Sequence, residues 1–123
     1  MADKPDVSVP QTPPPTELVV IDEWEGDGTE ATAGAQVTVH YVGVAWSNGN
    51  QFDASWDRND PFRFSLGAGH VIPGWDQGVV GMRVGGRRTL HIPPDQAYGS
   101  RGAAGVIGPN ETLVFTVDLL DVA

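Results

Sequence analysis

The 123-residue sequence predicts an α+β fold: an antiparallel sheet of about five strands with one short helix on its concave side. Three observations carry this reading. Several short runs alternate apolar and polar residues, the mark of strands with one buried face. The chain holds 16 glycines and 10 prolines, which supply turns and leave no room for long helices. The stretch from Pro73 to Val80 can form only about two turns of helix.

The first strand is read over residues 17–23, where Leu18-Val19-Val20-Ile21 runs into the turn cluster Gly26-Asp27-Gly28. In residues 36–45, Val37, Val39 and Tyr41 alternate with Thr38 and His40, which predicts a second strand with one face in the core. Asn48-Gly49 predicts a tight type I′ turn, both central residues at positive φ, returning the chain through Gln51 and Phe52. Residues 57–61 read as a loop or bulge, and 62–66 as a short strand. The helix over 73–80 starts on Pro73, where a missing N–H costs least, and must be stabilised by packing Trp75, Val79 and Met82 on the sheet. Residues 87–92 form another strand with Leu90 and Ile92 on one face. Arg88 shares their parity, so either the strand frays there or the pleat shifts. Pro93-Pro94 ends it, residues 98–109 read as a long mobile loop, and Leu113, Phe115, Val117 and Leu119 mark a central strand facing the core.

Residues 1–16 hold five of the prolines and little apolar surface, so they read as a disordered, Pro-rich acidic tail before a domain of residues 17–123. The net charge is −9, with eight acids and one lysine before residue 35 and eight acids and six arginines after it. Such a balance disfavours nucleic acid and anionic membranes as partners, since neither would gain counterion release. The absence of cysteine excludes disulfides, thiolate zinc sites and cysteine nucleophiles. No apolar run approaches the roughly 20 residues of a membrane span and no signal-like segment opens the chain. The expectation is a cytoplasmic monomer.

No GxSxG elbow, Walker loop or GxGxxG fingerprint is present, and His40, His70 and His91 lack metal-ligand spacing. His40 and His91 read as surface residues of strands. No cofactor and no metal are expected, and any reaction is one that needs no nucleophile. What remains is a set of aromatic residues beside a few polar groups. The segments Val39-His40-Tyr41-Val42-Gly43, Phe52-Asp53-Ala54-Ser55, Pro61-Phe62-Arg63-Phe64, Leu66-Gly67, Val71-Ile72-Pro73-Gly74-Trp75, Gly78-Val79, Ala97-Tyr98-Gly99 and Leu113-Val114-Phe115 occur in this order. In that order and spacing the chain resembles the FKBP-type peptidyl-prolyl cis/trans isomerases over essentially all of residues 17–123.

The resemblance implies a twisted sheet wrapped around a short helix, with a proline-binding pocket between them. It implies that Trp75 forms the pocket floor, that Tyr41, Phe62, Val71, Ile72 and Phe115 wall it, and that the Tyr98 hydroxyl and Ile72 N–H donate to substrate carbonyls. Asp53 would sit at the rim, paired to Arg58 near the Tyr41 hydroxyl. Asp53, Tyr98, Trp75 and Phe115 are thus the implied catalytic residues, and Tyr41, Phe52, Arg58, Phe62, Val71, Ile72, Val106 and Ile107 the implied substrate-binding ones; Phe64 stays in the core. Implied partners are proline-containing polypeptides and, as ligands, tacrolimus and rapamycin. The chain departs from many relatives in Gly102-Ala103-Ala104-Gly105, where bulkier residues are frequent, and in Trp56, a candidate cover for the pocket mouth. Two alternatives to an enzyme stay open at this point: a proline-peptide or partner-binding module with little turnover, and a domain whose aromatics are only core.

Overall fold

The computed structural model describes residues 3–103 and 106–123. Ala104 and Gly105, half of the Gly/Ala loop singled out above, lie outside the described residues. Six strands and two short helices follow one another as β1 (Val19–Trp24), β2 (Gln36–Ala45), β3 (Gln51–Ala54), α1 (Ser55–Arg58), β4 (Phe62–Ser65), α2 (Pro73–Gly78), β5 (Arg87–Ile92) and β6 (Leu113–Val122). One-turn 3₁₀ helices occupy Pro94–Gln96 and Gly99–Arg101. Among the described residues no helix is long and apolar enough to cross a membrane.

All strand pairs are antiparallel, in the order β1-β5-β6-β2-β3, with β4 also paired to β2. The second edge of β2 is therefore shared. β4 pairs with Gln36 to Val39, and β3 pairs with Val42 to Val44. Between them the ladder has a gap at His40 and Tyr41, and α1 fills it: Ser55 Oγ accepts the Tyr41 N–H at 2.7 Å and lies 2.8 Å from His40 Nδ1. An unpaired backbone donor in a buried strand would cost about 1–3 kcal/mol, so the serine's placement has a clear physical cause.

The core lies between the sheet and α2, where Val37, Val39, Leu66, Val79, Met82, Leu90, Ile92 and Leu119 are buried. The helix sits close to β5 because its near face is glycine. A Cβ on Gly74 would come within 2.5 Å of Ile92, and one on Gly78 within 2.7 Å of Leu90. Its C-terminal end is capped from the sheet: Arg88 Nη1 donates to the carbonyls of Gly78 (2.8 Å) and Val80 (2.9 Å), while Nε donates to Asp22 at 2.7 Å. Arg88 keeps the parity of Leu90 and Ile92 and stays in register with Val117 of β6, while the irregularity at this level is a bulge on β1 between Asp22 and Trp24; the guanidinium is held in the core because it satisfies carbonyls that would otherwise be orphaned.

Three local readings need correction. Asn48 and Gly49 do not form a type I′ turn: of the two only Gly49 has positive φ, and the loop closes through Ala45 N–H to Asn50 C=O and Gly49 N–H to Ala45 C=O. Residues 57–61 are not all loop, since Asp57 and Arg58 complete α1, which ends on Asn59 in the left-handed region. His40 is not a surface residue. Its side of β2 faces a covered outer surface, where Trp56 stacks on the imidazole at 4.2 Å.

Candidate active site

A cleft of about 210 Å³ opens between α2 and the sheet, lined by Tyr41, Phe52, Asp53, Phe62, His70, Val71, Ile72, Trp75, Tyr98 and Phe115. The walls come from β2, β3, β4, β6, α2 and the loops around residues 70–72 and 98, so the cleft exists only in the assembled fold. Strand parity brings Tyr41 (β2), Phe62 (β4) and Phe115 (β6) to the concave side. Trp75 enters from the first turn of α2, whose start is fixed by the extended backbone of Ile72 and by Trp75 N–H donating to the Ile72 carbonyl at 2.9 Å.

The floor is the Trp75 indole, 4 % exposed, with Tyr41 edge-on at 5.0 Å, Phe115 at 5.2 Å and Phe62 at 6.0 Å. Edge-to-face packing of this kind fixes ring orientation as well as burying area. Phe64 lies behind Trp75 at 5.6 Å, in the core as the sequence suggests. Gly43 leaves room for the far wall, since a Cβ there would lie 2.6 Å from the Phe115 ring and 2.7 Å from that of Phe52.

One rim is a polar triad. The Tyr41 hydroxyl donates to Asp53 Oδ2 at 2.6 Å, and Arg58, carried on α1, donates to both Asp53 Oδ1 and the Tyr41 oxygen. Burial, then the Asp53 carboxylate, push the Tyr41 phenol above its ordinary range, with Arg58 pulling the other way. Asp53 and Tyr41 in turn hold the Arg58 guanidinium above its usual value. The Tyr98 phenol, 42 % exposed, stands across the cleft, raised by burial and then by the Asp53 charge. Among the described residues the Ile72 N–H has no acceptor, although it lines the cleft. The Asp76 carboxylate accepts from Gly67 N–H (2.8 Å) and Gly69 N–H (3.0 Å), which ties the chain entering Val71 and Ile72 to the helix.

Of the residues singled out from the sequence, Asp53, Tyr98, Trp75, Phe115, Tyr41, Phe52, Phe62, Val71 and Ile72 converge on this cleft, and Arg58 braces its rim. Val106 and Ile107 do not line it. Val106 is 56 % exposed and Ile107 is buried in the core, bridged to Ala103. Trp56 does not cover the mouth; it lies on the outer face of the sheet against His40, because one residue past Ser55 the chain has turned to the other side of β2. His70 lines the cleft unforeseen, and only its adjacency to Val71 could have pointed to it. Among the described residues no cluster of three potential metal ligands occurs.

The comparisons agree with one another. Residues 28–120 match the family model for FKBP-type peptidyl-prolyl cis-trans isomerase. The chain is similar to an FK506-binding protein of Streptomyces anulatus, 60% identical over 121 residues and covering 98% of each chain. It is also similar to one from Neisseria meningitidis serogroup A, 52% identical over 106 residues, 85% of this chain and 95% of that one. Among solved structures it resembles AtFKBP13, with a TM-score of 0.80 and 40% identity over 89% of this chain and 96% of that one. A sheet wrapped on a short helix, an aromatic cleft between them and these likenesses lead to one conclusion: the chain belongs to the FKBP-type family and is a peptidyl-prolyl cis-trans isomerase.

Proposed function

We propose that the Trp75 cleft binds the proline of an X-Pro segment and accelerates rotation about the preceding peptide bond, with no covalent intermediate and no metal. The observation that carries this reading is the buried indole floor enclosed by Tyr41, Phe62 and Phe115, with unused donors at its edge. Rotation sacrifices amide resonance, at a barrier of about 18–20 kcal/mol, and the planar amide is more charge-separated than the twisted one. A water-poor aromatic floor therefore disfavours the planar form relative to the twisted one, which is differential binding of the transition state. The Ile72 N–H and Tyr98 hydroxyl anchor flanking carbonyls, so the segment is held part-way rotated. The Asp53–Arg58–Tyr41 triad keeps the rim from collapsing inward. Each 1.4 kcal/mol or so removed from the barrier is tenfold in rate.

The same cleft suits macrolides such as tacrolimus and rapamycin, which would compete with substrate. The test follows cis-to-trans conversion of a Leu-Pro peptide by the intact chain. Acceleration blocked by rapamycin, and reduced about tenfold or more in Trp75→Leu with fold retained, is expected. Peptide binding without acceleration would instead make the cleft a binding module.

A further inference from the structure

The outer face of the sheet, opposite α2, carries a second apolar cluster. Val42, Val44, Val114 and Ala54 are buried there, with Trp46 and Trp56 packed on them. None of these lines the cleft. Their cover is the chain's own N-terminal segment: Val7 and Val9 pack on the cluster, and along residues 5–9 Pro5, Val7 and Val9 are half-buried while Asp6 and Ser8 are exposed. Period-two burial is what an extended chain shows when it lies on a surface by one row of side chains. Yet among the described residues no backbone–backbone hydrogen bond joins residues 3–16 to any strand.

Two further ties are polar and peripheral. Lys4 Nζ donates to Asp57 at 2.7 Å, and Arg87 Nη2 donates to the Asp3 carbonyl at 2.8 Å. A space of about 400 Å³ remains between the segment and the strands below, floored in part by Thr89, His91 and Thr116. Val7 and Val9, the half-buried Pro5 and Pro10 and two exposed polar contacts hold the segment, and it can leave without opening the sheet ladder. Its departure uncovers an apolar surface that already fits an extended chain.

We propose that this outer face is a second peptide-docking surface, separate from the proline cleft, which takes extended segments carrying two β-branched aliphatic residues two positions apart. Residues 3–9 are its ligand in cis. A short flexible tether gives an effective concentration on the order of millimolar, so a segment that is mostly docked must compete with the same peptide added in trans.

The experiment uses the full chain and its Val7→Asp/Val9→Asp double variant, both isotope-labelled, titrated with an acetylated synthetic peptide of residues 3–12. The variant should bind the peptide saturably, with amide shifts centred on Val42, Val44 and Val114, and the unaltered chain should bind it about tenfold more weakly. A control peptide with aspartate at both valine positions should not bind. Because Val7 and Val9 lie outside every strand, the double variant should keep its isomerase turnover, which verifies that it is folded. Failure of the folded variant to bind, equal affinity of the two proteins, or shifts centred on Trp75 and Tyr98 would each overturn the proposal.

Discussion

Replacing Gly43 by alanine tests whether the position of the cleft's far wall sets the rate. Gly43 lies mid-strand in β2, opposite Phe115 of β6 and Asp53 of β3. The added Cβ would stand 2.6 Å from the Phe115 ring and 2.7 Å from the Phe52 ring, where ordinary carbon contacts begin at 3.4 Å. Each ring must give by roughly 1 Å to restore normal contact. Phe52 is half-buried and can swing outward. Phe115 is 4 % exposed and packed against Trp75 and Tyr41, so its displacement is passed to the floor and wall of the cleft. Overpacking of this kind costs about 1–3 kcal/mol of stability, read as a fall of several degrees in Tm. A wall displaced by about 1 Å should lower kcat/KM by about tenfold to a hundredfold. Gly108→Ala is the control, because nothing lies within 4 Å of its Cβ and its φ is not positive; neither quantity should change. If Gly43→Ala loses stability yet keeps kcat/KM within about twofold of the unaltered chain, the argument from wall position is wrong.

Arg88→Met leaves the Gly78 and Val80 carbonyls without their donor and should cost about 1–3 kcal/mol by urea titration, with β5 still paired. Asp53→Asn removes the carboxylate that helps raise the Tyr41 phenol; alkaline absorbance titration should show that tyrosine ionising at lower pH, and kcat/KM should fall about fivefold for each 1 kcal/mol of lost positioning. Burial holds the His40 imidazole below its ordinary range, despite the opposing charges of Asp118 and Asp60, so the folded chain binds fewer protons there than the unfolded one. That stability is fully present above the ordinary histidine range and is lost as pH falls toward the depressed value. The penalty of His40→Gln should therefore be larger at about pH 7.5 than at about pH 5, measured by denaturant midpoints; a penalty independent of pH would remove His40 from the account.

Strands β2, β5 and β6 were legible in the sequence because each buries one face fully, and period two then writes itself into the residues. What lay opposite those buried faces was not legible. His40 reads as exposed because it alternates with Val39 and Tyr41, and nothing in strand parity reveals that Trp56 and the N-terminal valines cover the other side. Helix α1 is a single turn closed by Asn59 at positive φ, too short for any apolar period to mark it. The converging aromatics can be ordered along the chain from the resemblance, but the substrate-binding role it implies for Val106 and Ile107 is not met, since Val106 is exposed and Ile107 is buried in the core, bridged to Ala103. Glycines at 43, 74 and 78 carried no pattern at all, since their meaning is the close approach of a neighbour distant in sequence.

The strand order carries a consequence for how the enzyme comes into being. β6, last in the order of synthesis, is inserted between β5 and β2 rather than added at an edge, and it delivers Phe115 to the floor ring. A nascent polypeptide still lacking that ribbon has two unjoined sheet fragments and a tryptophan open to solvent on one side. The aromatic floor of the cleft is therefore assembled only when β6 takes its place between β5 and β2.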